Sequence, residues 1–117
     1  MTDTNMNSAA PIQSPIARLR ASKQKFEEGN ADYGKAAGRK WAETKAEYEE
    51  LANLERLVGT EYGFRAFRDV VDSNGDLDGD ELAKWLGLTE EDFTNDLVVI
   101  SFVQGASEFF NEIEAAL

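Results

Sequence analysis

Between Asp72 and Glu81, oxygen-bearing side chains fall at every second position, Asp72, Asn74, Asp76 and Asp78, and Glu81 closes the run. A hard divalent cation such as Ca2+ takes about six to eight oxygen ligands, and a short loop can turn alternating carboxylates and amides toward one point. Asp72, Asn74, Asp76, Asp78 and Glu81 are therefore candidate metal ligands, and Ca2+ is the candidate cofactor. The same residues also have an ordinary structural use. Asp and Asn favour turns, and Gly75 and Gly79 permit positive φ. Asp78 and Glu81 stand three apart, the spacing of an N-terminal capping box. The two readings differ in demand, since a turn uses one or two of these oxygens and an ion uses nearly all of them.

Other chemistry is largely removed by composition. The chain has no cysteine and no histidine. Disulfides, thiolate metal sites and cysteine nucleophiles are excluded, and with histidine go the usual general base and the commonest transition-metal ligand. A catalytic carboxylate pair needs a pocket that separates its two pKa values, whereas these acids lie in a polar run. No catalytic residues are assigned, and an enzyme is not expected.

The elements that must position the loop read as helical throughout, which predicts an all-α fold: a small bundle with one long N-terminal helix, a helix-loop-helix unit and a C-terminal helix. The 117 residues suit a single domain over 14–117, with a polar, disordered tail over 1–13. Ser14-Pro15 is a helix-opening pair. Apolar residues then keep one helical face from Leu19 through Phe26, Tyr33, Ala37, Trp41 and Tyr48 to Leu51, which predicts one helix from about Pro15 to Val58, ended by Gly59. The alternative is a first helix capped by Gly29-Asn30 and a second begun at Asp32. Thr60 is placed to cap a short helix reaching Val71. Leu82, Trp85 and Leu86 form the inner side of the helix after the loop, ended by Gly87. Thr89 with Asp92 opens the last helix, with Phe93, Leu97, Ile100, Phe109 and Ile113 near one face and Gly105 as a place to kink. The β-branched run Leu97 to Val103 would also suit a strand, but the preceding start signal favours helix.

Glycine in a helix costs about 1 kcal/mol relative to alanine. Gly34 and Gly38 are four apart, so they share a face that lets another backbone approach closely, in this chain or in a partner. Trp41 and Tyr48 carry the same choice between core anchor and partner hot spot. Gly34, Gly38, Trp41 and Tyr48 are thus the candidate partner-binding residues.

The stretch from Phe64 to Leu82 resembles the EF-hand calcium-binding proteins over about 20 residues, Phe64-Arg65-Ala66-Phe67-Arg68-Asp69-Val70-Val71 standing as entering helix and Glu81-Leu82 as the start of the exiting one. That resemblance implies Asp72, Asn74 and Asp76 at the first, third and fifth loop positions, Leu77 at the apolar eighth, Asp78 at the ninth and Glu81 as the bidentate closing ligand. The loop is two residues short between Asp76 and Leu77, where the family keeps its turn glycine and a backbone carbonyl ligand. A ten-residue loop closing on glutamate also resembles the shortened, EF-hand-like loops of some bacterial proteins. An incomplete, single loop implies weak affinity, on the order of 10^-4 to 10^-3 M.

Charge divides the chain. Nine basic residues balance nine acidic ones up to Leu57, and from Val58 onward three basic face fourteen acidic, which accounts for the net charge of -11. Residues 15–40, with seven basic and three acidic side chains, carry +4. The expectation is a small acidic binding or regulatory protein with a protein partner or a homo-oligomeric state, and no direct binding of duplex nucleic acid. The alternative is an inhibitor whose carboxylates mimic phosphates in the basic cleft of a nucleic-acid-processing protein. The longest apolar run, Leu97 to Val103, is far short of the roughly 20 residues that cross a bilayer, and no secretory leader is visible, so a soluble cytoplasmic protein is expected.

Overall fold

The computed structural model describes residues 13–117, which form five α-helices and no strand: α1 (Gln13–Thr44), α2 (Tyr48–Leu54), α3 (Phe64–Val71), α4 (Gly79–Leu86) and α5 (Asp96–Ile113). Short 3-10 turns follow α2, precede α5 and close the chain at Glu114–Ala116. The tail expected over 1–13 lies almost wholly outside the described residues. No described helix is long and apolar enough to cross a membrane.

The framework is a parallel pair, α1 with α5. A side chain built on Gly34 would run into the Val98 carbonyl, one on Gly38 into the Phe102 carbonyl, and one on Gly105 into the Lys35 carbonyl. These three glycines allow backbone-to-backbone approach, so the cost of glycine in a helix is offset by the contact it permits. Gly105 neither kinks nor splits α5. Along the pair, Lys35 meets Glu108 at 3.2 Å, and Arg39 meets Glu112 through two hydrogen bonds of 2.8 Å.

The core lies between this pair and the three short helices. Trp41 is 2% exposed and packs edge-on against Trp85 at 5.3 Å between ring centroids, with Phe102 on another side at 5.5 Å. Phe67 of α3 stands T-shaped on Phe102 at 5.6 Å. Ala42, Leu51, Leu54, Val71, Leu82, Leu86, Leu88, Val98, Val99, Val103, Ala106 and Phe110 complete the core.

Four local expectations are corrected. The first helix runs unbroken through Gly29-Asn30 but ends at Thr44 instead of Val58. The Trp41 carbonyl accepts from both the Lys45 and Ala46 amides, and Glu47 with Glu50 then forms a capping box that starts α2 in a new direction. That turn carries Leu51 and Leu54 into the core, which a straight helix could not do. Thr60 does not cap α3: its hydroxyl donates to the Leu57 carbonyl, and Gly63 is the N-cap. The Thr89-Asp92 box begins only the 3-10 turn Glu90–Thr94, and α5 is instead capped by Asn95, whose side chain accepts from the Leu97 and Val98 amides. The buried face of α5 is accordingly Val98, Phe102, Val103, Ala106 and Phe110, while Ile100 is 43% exposed.

Candidate metal site

The loop between α3 and α4 is built by two local devices that share its acidic residues. Asp72 is 8% exposed, and its carboxylate accepts from the amides of Gly75 and Leu77, each at 3.1 Å, while the Asp72 carbonyl accepts from Gly75 at 2.9 Å. Gly75 has φ +70, so the sharp turn of the loop is made there, between Asn74 and Asp76. Arg68 fixes the other wall: its guanidinium donates to the Leu77 carbonyl and lies 3.9 Å from the Asp72 carboxylate.

Asp78 and Glu81 serve the second device. The Asp78 carboxylate accepts from the Glu81 amide at 2.9 Å, and the Glu81 carboxylate accepts from the Asp78 amide at 3.1 Å, a complete capping box on α4. Gly87 closes the same helix in the left-handed region at φ +78.

The five candidate ligands are thereby split. Asp72, Asn74 and Asp76 line a depression of about 250 Å3 together with Glu47, Glu50 and Trp85, whereas Asp78 and Glu81 are not part of its wall. Among the described residues, no three Asp or Glu side chains converge closely enough to hold a metal ion. Loop spacing alone could not reveal Glu47 and Glu50, which arrive from α2. Their signal in the sequence is the three-residue spacing of a second capping box, with the Glu47 amide donating to the Glu50 carboxylate at 2.9 Å. Glu50 is 7% exposed. Burial holds its pKa above the usual carboxylate range; the Glu47 amide opposes this, and the charges of Glu47, Asp72 and Glu49 add to it.

The four candidate partner residues also divide. Gly34, Gly38 and Trp41 face inward, against α5 and in the core, and only Tyr48 is open to solvent, 61% exposed with its ring edge-on to Phe110 at 5.6 Å.

No protein-family model, curated protein or solved structure matches the chain.

Proposed function

We propose that this chain is a small acidic binding protein of the cytoplasm, acting by association rather than catalysis, whose 72–81 loop takes up Ca2+ weakly and uses it to tie the loop to the start of α2. The observation that carries the reading is the shared depression: Asp72, Asn74 and Asp76 on one wall and Glu47 and Glu50 on the other. Clustered carboxylates repel one another, and a divalent ion among them would relieve that repulsion. Asn74 and Asp76 are exposed and can swing inward without breaking the turn that Asp72 holds.

Bound Ca2+ would add RT ln(1 + [Ca]/Kd) to stability. Millimolar Ca2+ should therefore raise the melting temperature, shift the backbone amides of 72–81 and of Glu47 to Glu50 together, and do neither in Asp76→Ala. An unchanged melting curve with diffuse amide shifts would remove the site.

A second reading is favoured by a separate observation. Asp69, Asp76, Asp78, Asp80, Glu81, Glu90, Glu91 and Asp96 are all exposed, as a phosphate-mimicking surface requires. That reading predicts binding to a basic protein that persists in chelator and is lost in high salt, with the loss spread over many carboxylates.

A further inference from the structure

Residues 15–29 of α1 are exposed without exception and extend beyond the body as a helical arm about 22 Å long. The radius of gyration, 18.9 Å, exceeds the roughly 13 Å of a compact chain of this size because of that arm. The arm is not uniformly polar. Ile16, Leu19 and Phe26 are 47%, 56% and 67% exposed, and at 3.6 residues per turn they fall on one stripe that continues into Tyr33. Arg18 and Lys25 lie along one side of the stripe and Arg20 along the other, while Lys23 falls within it and pairs with Glu27 at 3.4 Å; the arm from 15 to 30 carries +2, four basic residues against Glu27 and Glu28.

A matching surface exists on the body. Tyr62, Phe64, Phe93, Val99 and Ile100 form a groove of about 300 Å3 with Glu61 and Asp96 in its wall. Phe64 and Ile100 remain 37% and 43% exposed there. Glu90 and Glu91 stand on the adjoining turn, and residues 41–117 as a whole carry -14, five basic against nineteen acidic. The groove lies at the end of the body from which the arm departs, because Tyr33 donates to the carboxylate of Asp92, next to Phe93, at 2.6 Å. A chain's own arm cannot enter its own groove, since α1 is one unbroken helix leading away from it.

We infer that the arm docks in the groove of a second copy of this chain, reciprocally, so that two copies pair about a two-fold axis. Apolar stripe then meets apolar groove, and Arg18, Arg20 and Lys25 meet Glu61, Asp96 and the neighbouring acids. Arm-to-arm pairing would set basic helices side by side, whereas arm-to-groove pairing sets opposite charges together. A two-fold arrangement uses both surfaces of both copies and leaves neither stripe open.

The test is the mass in solution of the full chain by sedimentation, in chelator so that the loop plays no part. The expected species is a dimer that weakens as salt is raised. Phe26→Glu and Ile100→Lys should each yield monomer with an unchanged circular dichroism spectrum, since both side chains are exposed. Mixing the two variants should restore a weaker dimer through the one intact arm and groove. A monomer at all attainable concentrations overturns the proposal and leaves the arm to an anionic partner. A dimer lost in Phe26→Glu but kept in Ile100→Lys overturns it in favour of arm-to-arm pairing, and a dimer indifferent to Phe26→Glu overturns it outright.

Discussion

Asp78 has a structural duty that does not depend on any ion: it accepts from the Glu81 amide at the start of α4. Asp78→Ala should cost about 1 kcal/mol in chemical denaturation, and should cost it in chelator as well as in calcium. A side chain needed only as a ligand would show its loss in calcium alone. Glu50 offers a second measurement. Its carboxyl holds its proton more tightly in the folded chain than in the unfolded one, so between the ordinary carboxylate range and the raised value the folded state binds more protons. Stability from this group is full below the unfolded pKa and is lost as pH rises through that window. Glu50→Gln keeps an acceptor for the Glu47 amide and removes the titration. The melting temperature of the variant relative to the parent should therefore climb as pH is raised from the acid side toward neutral. A difference that stays flat with pH would show that Glu50 is not held protonated by its surroundings.

Among the elements, the α1–α5 pair makes the clearest demand on sequence. Alanine is better than glycine in a helix by about 1 kcal/mol, and the two glycines at the ends of that scale sit in one helix. Gly29 has nothing within 4 Å of the position a side chain would take, whereas one on Gly38 would run into the Phe102 backbone. Gly29→Ala should stabilise by up to about 1 kcal/mol, and Gly38→Ala should destabilise by about 1–3 kcal/mol through overpacking. Denaturant midpoints of the two variants, moving in opposite directions, check the pair. The all-α architecture was legible from periodicity and start signals, and the close approach at Gly34 and Gly38 from their spacing. The helix break at Lys45 to Glu47 was not, because Trp41, Tyr48 and Leu51 keep the helical register straight across it. What decides the break is the burial of Leu51 and Leu54 against α3 and α5, a tertiary gain that local periodicity does not contain. The loop shows the same limit. Its turn and its cap could be read from Asp72, Gly75, Asp78 and Glu81, but the acids facing it come from α2, about 25 residues earlier, and their position depends on that same break.

For the molecule as a whole, charge is arranged by region: an arm of +2 over residues 15–30 leads away from a body of -12 over residues 31–117. Self-repulsion within such a body favours expansion at low ionic strength. Moderate salt should therefore raise the melting temperature of the monomeric Phe26→Glu variant even while it weakens the dimer of the parent, a reversal of sign that calorimetry at two salt concentrations would detect. Order of synthesis follows from the helix pair. The first and last helices are mutual partners, with Lys35 paired to Glu108 and Arg39 to Glu112, and Tyr33 bonded to Asp92 in the turn before α5. Each such contact closes more than half the chain, so this helical protein should fold more slowly than bundles built from neighbouring helices. During translation, the glycine face of α1 and the ring of Trp41 must wait uncovered until α5 has left the ribosome, and a chain stopped before Asp96 has no α5 with which to cover them.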